Sequence, residues 1–204
     1  MQKEISQHPN FKVGYVFSVG QPPGIAERIF NLRDLEISLS LTAEESLKRH
    51  YNISAEIKRN ITSEADKYDD ILLGDYVDTY FNLTWKTVTN LRWLSTFCDK
   101  SHHDTFLLID DDHRVNLSMV MRFFQNTPKS IMRQSIFGLV LTEDHPVRVE
   151  YKKCFLSKKE FPMHKFPPFP LGFSQFIGAD VVDDMAIASA YTKYDYFPED
   201  VFLD

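Results

Sequence analysis

Thr105-Phe106-Leu107-Leu108-Ile109-Asp110-Asp111-Asp112 is the stretch on which the reading of this chain turns. The uncharged run TFLLI suits a buried parallel strand. It stops at three carboxylates. Charges grouped at a strand end are costly unless they reach solvent or a cation. In open α/β sheets, ligand sites lie beyond the carboxyl ends of strands. Carboxylate oxygens there favour a hard divalent cation, Mg2+ or Mn2+. Such a cation can bridge to a diphosphate and stabilise it as a leaving group. The triplet alone fits a cation site and a solvated acidic turn equally well. No glycine turn or spaced ligand set follows, so an EF-hand is disfavoured.

On the carboxyl side, 117–125 reads as a helix and 136–141 as a second buried strand. Residues 142–165 are charged and irregular, with Pro146 and Pro162. Phe166-Pro167-Pro168-Phe169-Pro170 reads as a stiff loop, and 181–191 as helical. On the amino side, 80–97 has helical spacing of Phe81, Trp85 and Val88 beside Thr84, Leu91 and Leu94. Residues 54–67 are polar and read as helix or exposed loop. A capping-box pattern, Thr42 to Glu45, predicts a helix start there. Alternation of Val13, Tyr15, Phe17 and Val19 predicts a strand over 11–19, closed by the turn Gly20-Gln21-Pro22-Pro23-Gly24. Strands alternating with helices indicate the α/β class. With 204 residues, and neither an internal repeat nor a linker-like segment, one domain is expected over 1–204.

Composition excludes several classes. Hydrophobic residues at 43% and charged residues at 25% exclude a disordered or collagen-like chain. A net charge of −6 gives no general electrostatic reason to bind nucleic acid or an anionic membrane. A polyanionic ligand would need a metal or a local basic patch. No apolar run is long enough for a membrane span, and Met1 to Asn10 lacks the apolar region of a signal peptide. Four sequons, at Asn52, Asn60, Asn82 and Asn116, point mildly toward a luminal history. Cys98 and Cys154 allow one bridge or two free thiols.

Other local signals are weaker alone. Glu199-Asp200 follows an aromatic-rich stretch, where a carboxylate beside an apolar wall can act as a general base. By itself it reads as a surface pair. Asp69, Asp70, Asp75 and Asp78 read as a solvated acidic loop, and Lys152, Lys153, Lys158 and Lys159 as a solvated basic run. His102 and His103 have no third ligand at zinc spacing. Dinucleotide, P-loop, α/β-hydrolase and zincin motifs do not occur.

Taken in order, the segments are more specific. Glu64, Tyr68-Asp69-Asp70-Ile71-Leu72 and Asp75-Tyr76-Val77-Asp78-Thr79-Tyr80-Phe81-Asn82-Leu83-Thr84-Trp85-Lys86-Thr87 are followed by Trp93 and Cys98. Then come Asp110-Asp111-Asp112 with Val115-Asn116, Phe166-Pro167-Pro168-Phe169 with Gly172, and Glu199-Asp200-Val201-Phe202. This series resembles the β-1,3-galactosyltransferase-like family of inverting glycosyltransferases. The resemblance covers 64–203 well and 11–20 loosely, and leaves 21–63 uncovered.

The resemblance implies a GT-A-like nucleotide-diphospho-sugar transferase sandwich, here shortened at both ends. It implies a UDP-sugar donor with Mn2+ or Mg2+, and a glycan acceptor on glycoprotein or glycolipid. It implies transfer of galactose or an N-acetylhexosamine through a β-1,3 bond. Carried over, Asp112 with Asp110 would ligate the metal. Asp110 would also contact the ribose or sugar side of the donor, and Asp111 would support that geometry. Asp200 would take the acceptor proton. Asp69 and Asp70 would lie on the donor side, with Glu199, Lys86 and Gly172 in support. Asp75 and Asp78 carry no catalytic role. The family setting is the luminal side of the Golgi membrane, held by a signal-anchor absent from this chain.

The chain also departs from the family pattern. Leu108 stands where a lysine is common, His113-Arg114 where a hydrophobic pair is usual, and Pro170 where many members have cysteine. The family's stretch before the first strand is missing, and a metal-ligating histidine of some relatives would lie beyond Asp204. The rival reading is an inactive or fragmentary relative that binds UDP-sugar or glycan without turnover. A plain structural or interaction domain ranks below it.

Overall fold

Parallel pairing first appears between two strands far apart in sequence, β1 (Phe17–Gln21) and, later in the chain, β4 (Ile71–Val77), with Phe17 opposite Ile71 and Val19 opposite Leu73. The computed structural model describes residues 13–24, 29–32, 35–38, 40–149, 152 and 154–192. Contacts divide the chain into two compact units, 14–89 and the remainder. The expected first strand therefore starts later than its alternation suggested. Residues 13–16 are not strand, and 11–12 lie outside the described residues.

Within 14–89, β2 (Ile29–Leu32) and β3 (Leu35–Ser38) pair antiparallel. Helices α1 (Leu41–Asn52) and α2 (Ser54–Tyr68) follow. The α1 start differs from the expected Thr42–Glu45 box. The Ser40 hydroxyl accepts the Ala43 amide at 3.2 Å, so the helix begins two residues earlier. Asp69 ends α2 in the left-handed region, φ 53°. Aspartate tolerates that conformation better than most residues. In β4 the buried side alternates, and Gly74 and Tyr76 share it. A Cβ on Gly74 would lie 2.1 Å from the Tyr76 ring, so glycine makes the space the ring fills.

From residue 90 onward the core is built around one central strand. A 3-10 turn at Tyr80–Asn82 leads into α3 (Leu83–Phe97). Then come β5 (Thr105–Ile109), α4 (Leu117–Asn126), the short α5 (Lys129–Arg133), β6 (Ile136–Leu141), β7 (Phe169–Gly178) and α6 (Ala179–Ala188). The sheet order is β5-β7-β6, with both outer strands antiparallel to β7. Two expectations are corrected here. Strand β5 pairs antiparallel rather than parallel among the described residues. Strand β6 is half exposed through Gly138, Leu139 and Val140, rather than buried. The stiff loop ends at Pro168, because Phe169 already pairs with Leu141.

Leu91, Ile177 and Val182 form a fully buried cluster, with Leu94, Phe106, Leu108, Ile136, Val181 and Met185 packed on it. Removing a buried side chain of this size costs about 2–5 kcal/mol. A second cluster, Leu156, Phe161, Phe166 and Phe169, gives the irregular 142–165 stretch a core of its own. Arg148 holds that stretch by donating to the carbonyls of Leu156 (2.6 Å), Phe161 (2.7 Å) and Met163 (2.8 Å). Polar ties fix the helices. Arg133 pairs with Asp180 at 2.5 Å, and Ser95 and Lys100 both donate to Asp183. Burial alone would raise the Asp183 carboxyl, but the Lys100 and Ser95 hydrogen bonds outweigh it and hold it below its ordinary value.

Helices thus alternate with parallel and antiparallel strands, the α/β class the sequence pattern indicated. Cys98 and Cys154 are free thiols. Among the described residues no helix is long and apolar enough to cross a membrane.

Candidate functional site

The acidic triplet is a turn with defined anchors. The Asp110 amide donates to the Phe173 carbonyl at 3.0 Å, which extends the β5–β7 ladder one residue past the strand. The His113 amide donates to the Asp110 carbonyl at 3.1 Å, closing a four-residue turn. Asn116 then caps α4, its side chain accepting from the Met119 amide at 3.2 Å. The sequence folds this way because β5 runs out of apolar residues at Ile109, and Asn116 favours a helix start.

Phe173 sits where β7 carries extra residues. Strand β6 advances from Gly138 to Val140 while its partners on β7 go from Gln175 back to Pro170. The resulting bulge includes Gly172 and Phe173. Bulges re-aim side chains beside functional sites. Here the Phe173 ring stacks on His113, centroids 4.9 Å apart and planes 9° from parallel. His113 Nδ1 also meets Asp112 Oδ1 at 2.7 Å.

One carboxylate oxygen of Asp110, one of Asp112 and one imidazole nitrogen of His113 lie within 4.8 Å of one another. Oxygens bound to one divalent ion at about 2.0–2.6 Å stand at most roughly 4–5 Å apart. The cluster therefore fits a cation in size. Its donor set fits in kind, since two carboxylates that share a small volume repel until a cation separates them. The Asp112 side chain is 80% exposed, so a soluble ligand can reach it.

The site thus joins Asp110 and Asp112, as the triplet suggested. Asp111 is exposed and outside the three-residue cluster. Gly172 lies in the bulge beside Phe173. Sequence reasoning missed His113. Its one signal was adjacency to the triplet, and it stood in the sequence only as a departure from the family's hydrophobic pair. Leu108 packs into the Leu91–Ile177–Val182 cluster, so apolar burial occupies the position where a lysine is common.

Asp69, Asp70 and Lys86 lie in the 14–89 unit. Asp69 and Asp70 precede β4, at the amino end of the parallel pair. The Asp70 carbonyl accepts the Phe17 amide at 2.8 Å, starting the β1–β4 ladder. Its Oδ1 is shielded from solvent and unpartnered among the described residues. The carboxyl end of the pair, where open α/β sheets place ligands, carries Asp78 and Lys86 instead. Asp78 accepts the Gly20 amide at 2.9 Å and Lys86 at 3.2 Å, while the Asn82 side chain donates to the Val77 carbonyl at 2.8 Å. These bonds give the D-x-Y-x-N-L-T-x-K run a structural reason: it ties the strand end to the start of α3. Glu199 and Asp200 lie outside the described residues.

Comparison with known proteins bears on the family of the chain. The chain is 27% identical over 150 residues to β-1,3-galactosyltransferase brn of Drosophila melanogaster, covering 72% of this chain and 44% of that protein. It is 28% identical over 151 residues to human β-1,3-galactosyltransferase 5, covering 74% and 47%. It is 30% identical over 148 residues to lactosylceramide 1,3-N-acetyl-β-D-glucosaminyltransferase B of Danio rerio, covering 72% and 38%. The chain spans less than half the length of these relatives. A family model described as galactosyltransferase matches residues 50–203, so α2 falls inside the family span that the motifs alone began at residue 64. Since that span holds both the β4–α3 block and the acidic turn, the chain belongs to the galactosyltransferase family.

Proposed function

We propose that this chain is a metal-dependent hexosyltransferase domain. It moves galactose or an N-acetylhexosamine from a UDP-sugar to a hydroxyl of a glycan on glycoprotein or glycolipid. The anomeric centre is inverted and the new linkage is β-1,3. The observation that carries the reading is the convergence of Asp110, Asp112 and His113 just beyond β5. Family membership and the relatives' names support the reaction class.

Asp112 and Asp110 would hold Mn2+ or Mg2+, which supplies charge stabilisation to the departing diphosphate. Asp111 would support the turn, whose two ends are anchored by the Phe173 carbonyl and the Asn116 cap. Asp200 takes the proton from the acceptor hydroxyl as that oxygen attacks the anomeric carbon opposite the leaving group. Asp200→Asn is expected to leave UDP binding within about twofold of wild type. Loss of the base should lower transfer by about 10²–10⁴-fold. Initial rates beside binding isotherms check it, and full activity in the variant removes Asp200 from the base role.

A thermal melt with UDP, with and without Mn2+, tests the donor site. A ligand held only by the folded state at about 100 times its Kd adds about 2.7 kcal/mol. For a chain of this size that is a Tm rise of about 5–11 °C. Rise without transfer to any acceptor would favour the relative that binds without turnover. A cooperative melt with no rise would sink the donor-site reading.

The proposed setting is the luminal side of the Golgi membrane. Exposed Asn52 and Asn60 on α1 and α2 support it, because they leave two sequons accessible. Asn82 and Asn116 are held by backbone contacts. Resistance of the cellular protein to peptide-N-glycosidase, with no shift in mass, would argue against that compartment.

A further inference from the structure

We propose that His113 supplies a nitrogen ligand to the donor-site cation and so biases the site toward manganese over magnesium. The inference rests on the hexosyltransferase reading above and concerns a residue that the acidic triplet does not include. Three observations carry it. One imidazole nitrogen falls within the same 4.8 Å volume as the Asp110 and Asp112 oxygens. The ring is fixed, stacked on Phe173 with nearly parallel planes. Its Nδ1 donates to Asp112 Oδ1 at 2.7 Å, so a cation ligated there would take the place of the shared proton.

The stack alone does not call for histidine. A phenylalanine at 113 could lie on Phe173 equally well. What imidazole adds is a nitrogen within hydrogen-bond reach of the Asp112 carboxylate, which can ligate once its proton is displaced. The side chain is 39% exposed, so the ring edge is not sealed by packing. A ring whose plane is set in advance loses little freedom when it ligates, which is how supporting contacts tune a metal site. Magnesium takes oxygen ligands and keeps much of its water, whereas first-row transition ions accept imidazole nitrogen. An Asp-Asp-His set therefore separates manganese from magnesium in a way that three carboxylates do not.

The test uses the purified chain with Mn2+ alone and with Mn2+ plus UDP, grown with ¹⁵N-histidine. Electron spin echo modulation from Mn2+ reads nitrogen bound to the ion. The expected result is a ¹⁵N coupling in the wild type that disappears in His113→Phe, which keeps the ring stack. The same variant should weaken Mn2+ binding by at least about tenfold while changing Mg2+ binding much less. If phenylalanine disturbs folding, as judged by circular dichroism, His113→Gln is measured in its place.

Bound Mn2+ that depends on Asp112 but shows no histidine nitrogen would overturn the proposal and leave the donor-site reading standing. A cooperatively folded sample that binds no Mn2+, with or without UDP, would overturn both.

Discussion

Asp112→Asn is expected to abolish the Mn2+-dependent part of UDP binding while leaving the fold intact. Asparagine keeps the shape of the side chain but removes the charge that a hard cation requires. A loss of at least about 100-fold in metal affinity is expected, which is about 2.7 kcal/mol at 25 °C. The fold should not notice, because the side chain is 80% exposed and, among the described residues, its hydrogen bond is to the neighbouring His113. The informative readout is the pair of Tm values with and without UDP and Mn2+. The apo variant should melt within about 2 °C of wild type, consistent with a surface change of about 0.5 kcal/mol or less. The ligand-induced rise should vanish. A full rise in Asp112→Asn would move the cation away from the triplet.

The second large effect is on stability and has nothing to do with the ligand. Gly178 ends β7 where the chain enters α6, and its amide donates to the Ser135 carbonyl at 2.9 Å. A Cβ there would stand 2.2 Å from the Arg133 carbonyl oxygen and 2.5 Å from that of Met132. Both are backbone atoms, so no side-chain rotation relieves the clash. Relief requires α5 to withdraw, and Arg133 would lose its 2.5 Å contact with Asp180 and its 2.8 Å bond to the Lys100 carbonyl. Gly178→Ala is expected to cost about 3 kcal/mol or more, a Tm drop of about 6–12 °C in a chain of this size. Gly14→Ala is the control, since a Cβ there meets nothing within 4 Å. Equal melting of the two variants would show that β7 and α5 do not pack as described.

The acidic turn was legible because its signal is local. An apolar run followed by three carboxylates names a strand end whatever the rest of the chain does, and β5 stops at Ile109. The partner of that strand was not legible. Phe169–Gly178 opens with Phe-Pro-Leu-Gly, which reads as a loop, and only the pairing with β5 and β6 makes it a strand. The same blindness hid His113. Nothing near it in sequence shows that Phe173 will arrive under its ring. The helix start at Ser40 was misread for the opposite reason, a good local pattern two residues too late. Asp69 and Asp70 stood out as charges, whereas their visible work is done by backbone: a left-handed helix end and the first rung of the β1–β4 ladder.

The hold that Phe173 has on Asp110 also orders events in time. Thr105 and Ile177, linked at the opposite end of the same two strands, are 72 residues apart in sequence. Closing a loop of that length costs chain entropy before any contact is gained, and distant pairings of this kind form slowly. The proposed cation site, anchored in this way, is therefore not a local element that folds early and waits for the rest. It comes into being when β7 docks. Hydrogen exchange at the Asp110 amide, bonded to the Phe173 carbonyl, should accordingly follow opening of the whole sheet rather than fraying of one turn. Nascent chain released before residue 173 would carry the acidic triplet without its anchor. Capture of the proposed cation would then be a property of the assembled sheet, acquired once β7 has joined β5 and β6.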